Sequence, residues 1–248
     1  MGEPVYSEVI ALTSACDRDL GNPVLWFEPD GYPSSLALCI IDSIYSTGAH
    51  YSSVTKIVHR YRTYRSERGG DANTDGVDEL RATVDDLGGP DKWATAIGNR
   101  RPTSTAENAP LKSVAIAEIV ALLASLGIKT AADLRAAAND GGLEAAKDAW
   151  QSTPGQRSGI TWEYALMLAG VPGVKADRMV TRYVTRAVGV PEDGLAPVDA
   201  ARLVKQAADL KGWNVTHLDH AIWRYESGRP VNRDGDPDDT KTPDDPSS

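Results

Sequence analysis

Cysteine is scarce in this chain: Cys16 and Cys39 are the only two in 248 residues. That excludes a disulfide framework, a four-cysteine zinc site and a four-cysteine iron–sulfur cluster, and a cytoplasmic setting follows most easily. Long apolar runs are also missing. Glu118 interrupts the longest one, Ser113 to Ile128, and the opening Met-Gly-Glu-Pro-Val-Tyr-Ser-Glu lacks the basic-then-apolar order of a secretory signal. No membrane span is expected. Strand signals are nearly absent, there is no internal repeat, and neither a G-x-G-x-x-G after a strand nor a P-loop occurs. What remains is a chain 41% apolar and 25% charged, enough to bury a sizeable core as one large domain or two small lobes.

Positive charge is in deficit overall, with a net charge of −9, and taken alone that argues against nucleic-acid binding, which needs clustered Lys and Arg. The deficit is uneven. Between Arg229 and Ser248, three basic residues face six aspartates among four prolines, with Val231 the only apolar side chain. Such a segment cannot repay its ordering entropy and is expected to be a disordered acidic tail over 229–248. Without it the net charge is −6, and the basic residues are bunched: Lys56, His59, Arg60, Arg62, Arg65 and Arg68, then Arg100 and Arg101, then Lys175, Arg178, Arg182 and Arg186. Each run is by default a solvated helix face.

Apolar periodicity predicts an all-α fold. Leu36, Ile40, Ile41 and Ile44 share one helical face, and Val54, Ile57, Val58 and Tyr61 share another. A broad stripe runs from Ser113 to Leu126 and stops at Gly127. Thr130 with Asp133 has capping-box spacing, Thr161 to Ala169 is strongly apolar, and Asp177 stands where it would cap a helix reaching Val188. Pro197 begins another helix ending at Lys211, and Thr216 with Asp219 is read as the start of the last one, which ends at Gly228. Glu67 to Val77 and Arg101 to Pro110 read as loops outside the core.

Two stretches carry chemistry. Val171-Pro172-Gly173-Val174-Lys175 has the Pro-Gly pair and apolar neighbours of a tight backbone nest suited to phosphate. Earlier comes Thr153-Pro154-Gly155-Gln156-Arg157-Ser158-Gly159, then an apolar helix, then Ala176-Asp177-Arg178-Met179-Val180-Thr181-Arg182. That layout resembles the helix-hairpin-helix DNA glycosylases of the endonuclease III type. Their hairpin reads L-P-G-V-G-x-K-T-A, and V-D-T-H-V-x-R-V begins eighteen residues or so later. Without a gap, Pro154-Gly155 falls on the hairpin's P-G, Asp177 on the aspartate, Val180 on the valine and Arg182 on the arginine. Ser46-Thr47-Gly48-Ala49-His50-Tyr51-Ser52-Ser53-Val54-Thr55-Lys56 is similar to the family's S-A-Q-A-T-D-x-x-V-N-K, and Thr216 to Trp223 falls on its closing helix.

The resemblance implies two helical lobes with a helix-hairpin-helix element and a cleft between them, lobe one over about 36–165 and lobe two from 1–35 and 166–228. It also implies a monomer that takes double-stranded DNA with an extruded base, and no cofactor or metal. Gly159 stands where bifunctional members carry their Schiff-base lysine, so the implied chemistry is monofunctional base excision without efficient strand cleavage. Asp177 is the implied catalytic group: a carboxylate beside the anomeric carbon stabilises the oxocarbenium-like transition state and polarises water. Its simplest other role is that of a helix N-cap. DNA contacts are expected from Pro154, Gly155, Gln156, Arg157, Ser158, Gly159, Arg178 and Arg182. Arg157 replaces a glycine whose backbone conformation is costly for a residue with a Cβ, which would distort the hairpin.

The base pocket is expected to use Asp42, Tyr45, Ser46, Gly48, His50 and Trp162, since a flipped base needs apolar walls and a few polar groups. Gly48 replaces the glutamine that fills the gap left by the base. The added space would suit modified bases of foreign DNA, such as phage genomes. The same residues also admit a non-catalytic helix-hairpin-helix DNA-binding module, and the acidic total charge admits a helical protein-interaction domain.

Overall fold

The computed structural model describes residues 6–191 and 194–233. Among them the chain is all-α, with twelve α-helices, one 3-10 turn (Pro23–Leu25) and no strand. Two compact units form, one from 30–171 and the other from 6–29 together with 172–233. No helix of the described residues is long and apolar enough to cross a membrane. Residues 234–248 of the expected acidic tail lie outside the described residues. Of the five before them, Arg229 lies over the Trp223 ring at 4.7 Å and Asn232 bridges to Trp26, so part of the segment expected as tail packs back on the fold.

The 30–171 unit is built around α2 (Leu36–Tyr45), all ten of whose residues are buried. A helix apolar on every side belongs at the centre of a core, and α2 packs on α3 (Tyr51–Ser66), α4 (Val77–Asp86), α6 (Lys112–Ser125) and α9 (Ile160–Leu168). Each fully buried Leu or Ile on it contributes roughly 1.5–3 kcal/mol relative to exposure. Ser35 fixes its start by accepting the Leu38 amide at 3.2 Å. The same hydroxyl contacts the carbonyls of Ala72 and Asp75. The segment from Glu67 to Val77, expected outside the core, is therefore stapled into it. Asp75, 3% exposed, accepts Arg65 Nε at 2.6 Å, Arg65 Nη2 at 3.0 Å and the Tyr61 hydroxyl at 2.9 Å. A carboxylate buried with a guanidinium on two bonds outweighs the polar composition of the loop.

Short helices complete the unit. In α5 (Pro90–Ala96), Trp93 is fully buried and donates its indole N–H to Thr83 of α4 at 3.0 Å. The Thr130–Asp133 box opens α7 (Ala131–Asn139) as the spacing predicts, with reciprocal bonds of 3.1 and 2.8 Å. Trp150 of α8 (Glu144–Ser152) meets Trp162 of α9 edge to face at 5.6 Å.

The other unit packs α1 (Tyr6–Asp19) on α10 (Arg178–Val188) and α11 (Pro197–Lys211), with α12 (Val215–Glu226) against α10 and α11. Helix α10 buries Val180, Tyr183 and Val184 and keeps Arg178, Arg182 and Arg186 on the other side. Gly189 and Gly212 end α10 and α11 in the left-handed conformation.

Candidate functional site

The segment from Pro172 to Asp177 has no regular structure, so its backbone groups need other partners. Two come from α12. The Gly173 amide donates to Thr216 Oγ1 at 3.1 Å, and the Lys175 amide donates to Asp219 Oδ1 at 2.9 Å. Thr216 and Asp219 thus do not open α12, as their spacing suggests. Asn214 does, accepting the Thr216 and His217 amides at 3.0 and 3.1 Å. The Thr-x-x-Asp pair is turned instead onto the loop that leads to Asp177.

That loop ends in a tight turn, the Asp177 amide donating to the Lys175 carbonyl at 2.6 Å. Asp177, half-buried, then caps α10: its Oδ1 accepts both the Met179 amide at 2.8 Å and the Val180 amide at 3.2 Å. One oxygen carries both capping bonds, which leaves Oδ2 outside the cap. Asp219, by contrast, is buried. Burial first, and the nearby Asp177 charge second, raise its carboxyl well above the usual range, against the pull of Lys175. The two carboxylates lie in one neighbourhood. Next to them on α12, His220 is lowered to about 4 by burial and by the charges of Arg224, Arg229 and His217. It stacks on Trp223 with ring centroids 5.8 Å apart.

The arginines expected at DNA divide. Arg178 is exposed. Arg182 donates to Glu226 Oε2 at 2.7 Å, and Arg186 pairs with the other carboxylate oxygen. Burial pushes the Glu226 carboxyl up, but bonds from Arg186 and Arg182 outweigh it and hold it below its usual range. Arg182 is thus paired within its own unit, with 39% of its side-chain surface still exposed.

The Thr153–Gly159 turn joins α8 to α9 in the other unit. Gly155 has φ +78° and Gly159 φ +74°, and no residue between them has a positive φ. The strain expected at Arg157 is absent because the left-handed positions are occupied by the two glycines. A Cβ on Gly155 would come within 2.8 Å of the Thr103 carbonyl, and one on Gly159 within 2.7 Å of the Gln151 amide nitrogen. Gln156, only 3% exposed, faces inward, accepting the Thr161 hydroxyl at 2.6 Å, so it is not available as a DNA contact. Arg157 and Ser158 are exposed, Gly155 is exposed, and Pro154 is half-buried.

The expected base pocket is not assembled. Tyr45 and Trp162 are each 1% exposed, Tyr45 stacked on Trp93 and Trp162 edge to face with Trp150. Asp42, 2% exposed, accepts the Tyr32 hydroxyl at 2.8 Å. These three are core residues: periodicity put them on α2 and α9, and both helices turn the relevant face inward. Ser46, Gly48 and His50 lie in the turn between α2 and α3, Ser46 half-buried and the other two exposed. Gly48 has φ +61°, with open space where a Cβ would be, and its carbonyl accepts Arg101 at 2.9 Å. The buried Lys112 ammonium, lowered to about 8 by burial and then by the Arg101 charge, donates to the Thr47 carbonyl at 2.6 Å. No cluster of three or more His, Cys, Asp or Glu suited to a metal occurs among the described residues.

A family model described as a domain of unknown function, DUF8548, matches residues 10–227. The chain belongs to that family. The match takes in the Thr153–Gly159 turn, Asp177 and the Thr216–Asp219 pair, so they lie within the family's domain. Comparisons with characterised proteins and with solved structures gave no match.

Proposed function

We propose that the chain is a monofunctional DNA glycosylase that hydrolyses the N-glycosidic bond of a damaged or modified base. The observation that carries this reading is Asp177: a half-buried carboxylate fixed at a helix start through one oxygen, eighteen residues beyond the Gly159 turn position. In the proposed reaction Asp177 steadies positive charge on the sugar while water oxygen bonds to C1′. The C1′–N bond breaks with its electron pair leaving on the base, and the proton from water passes to the carboxylate or the departing base. No amine nucleophile stands at Gly159, so the product is an abasic site with an intact strand.

The test is incubation with duplexes carrying uracil, alkylated purines, mismatched purines or hypermodified cytosines, followed by hot alkali. Strand breaks are expected only after alkali. Asp177→Asn should abolish them while leaving α10 capped, because Asn caps as well as Asp. Wild-type rates in Asp177→Asn, or nicking without alkali, would overturn the mechanism. The burial of Asp42, Tyr45 and Trp162 favours a second reading, a DNA-binding module without chemistry. Binding without base release on every substrate would select it.

A further inference from the structure

Helix α3 carries Lys56, His59, Arg60, Arg62 and Arg65 and no acidic residue, on a chain whose net charge is −9. Its inner face, Val54, Ile57, Val58 and Tyr61, is buried in the core. Arg65 is spent on Asp75. The other basic groups are not neutralised in this way. Arg60 leans on the carbonyls of Ile97 and Gly98 at 2.6 and 2.5 Å, and Arg62 on the Asn73 side-chain oxygen at 3.2 Å. Among the described residues no carboxylate forms an ion pair with Lys56, Arg60 or Arg62. An open depression of about 390 Å³ is lined by Thr55, Lys56, His59 and Arg60, and a smaller one of about 200 Å³ reaches Arg62.

We propose that the outer face of α3, centred on Lys56, His59, Arg60 and Arg62, is a docking surface for the phosphodiester backbone of nucleic acid. Lys56 to Arg62 spans about 9 Å along the helix, against about 3.4 Å per nucleotide of a strand, so the row spans two to three successive phosphates. A lipid surface fits less well: interfacial helices need an outward apolar face, and here that face is used by the core. Two cations held by uncharged carbonyl or amide oxygens keep their full charge while losing side-chain freedom, which lowers the cost of binding an anion.

The surface belongs to the 30–171 unit and needs no chemistry at Asp177; it rests on the proposed function only in taking the same nucleic acid as partner. The test is fluorescence anisotropy of the full chain with an unmodified 20-base-pair duplex between 50 and 200 mM salt. Affinity should fall with a log–log slope of about −2 to −3, for two to three phosphate contacts. Lys56→Ser with Arg62→Ser, both on exposed positions, should weaken binding about tenfold and flatten the slope by about two. A control of equal charge, Lys147→Ser with Lys205→Ser, should leave both unchanged. Absence of binding at 50 mM salt, equal losses in the two double variants, or capture by anionic phosphatidylserine vesicles in place of the duplex would each overturn the proposal. Base release is scored separately, so docking without release, or release without docking by α3, tells failure of one reading from failure of the other.

Discussion

Replacing Asp75 by alanine should be among the most damaging single changes available outside the apolar core. The carboxylate is 3% exposed and answers two guanidinium bonds from Arg65 and the hydroxyl of Tyr61, itself fully buried. Removing one partner of a buried pair costs about 3–5 kcal/mol, because the remaining charge loses its compensation. Arg65 keeps 18% of its side-chain surface in solvent, which softens that cost, while the orphaned Tyr61 hydroxyl adds about 1–3 kcal/mol. About 3–4 kcal/mol is expected for Asp75→Ala, equivalent to a fall of roughly 6–16 °C in the melting temperature. Urea unfolding combined with hydrogen exchange of the α2, α3 and α4 amides measures it in the right unit. Arg68→Ala, which removes an exposed 3.8 Å pair with Glu67, should cost under about 1 kcal/mol. Equal effects of the two substitutions would refute the reasoning, since the burial of Asp75 would then carry no weight.

Four further outcomes are expected. Cys16, pushed up to about 12 mainly by burial, and Cys39, pushed higher still, should resist thiol reagents in the native state and react at the rate of local opening; stoichiometric labelling within seconds would contradict this. His220 is depressed from 6.5 to about 4, so its contribution to stability is complete above pH 6.5 and is lost as pH falls towards 4, on the order of 3 kcal/mol. The raised Asp219 acts in the opposite sense: its neutral form is favoured, so Asp219→Asn should match the wild type near pH 4 and be the more stable protein at pH 8, which pH-resolved urea titrations would check. Gly159→Lys should destabilise by about 1–2 kcal/mol, because a side chain there adopts a left-handed backbone and meets Gln151; borohydride trapping on abasic DNA should yield no covalent adduct, and efficient trapping would show that the position is open.

Helices α2, α3, α6 and α9 to α12 were legible from apolar spacing and caps, because each buries a broad stripe. The start of α7 is legible from its capping box, but α5 and α8 are not. In α5 only Trp93 and Ala94 are buried, and in α8 only Ala146 and Trp150, too few positions to make a period. The loop around Asp75 looked solvated because a buried ion pair leaves no apolar trace in sequence. At the candidate site, Asp177 was readable as a cap, whereas Thr216 and Asp219 were not readable as loop anchors. Their spacing matches a capping box, and only Asn214, two residues before Thr216, shows that the box was not needed. Tyr45 and Trp162 misled for a related reason, since aromatic residues that could wall a pocket are the same ones that fill a core.

One unit of the fold is sequence-discontinuous, closed by α1 before the other unit in sequence and by α10 to α12 after it, with residues 20–177 between them. During synthesis at about 5–20 residues per second, α1 waits roughly 10–40 seconds for its partners to emerge. Through that interval Val9, Leu12, Ala15 and Cys16 have nothing to cover them, while the intervening helices already have all of their own contacts. The N-terminal helix is therefore the stretch on which a nascent-chain chaperone would act, and slowing translation should aggravate aggregation through α1 alone.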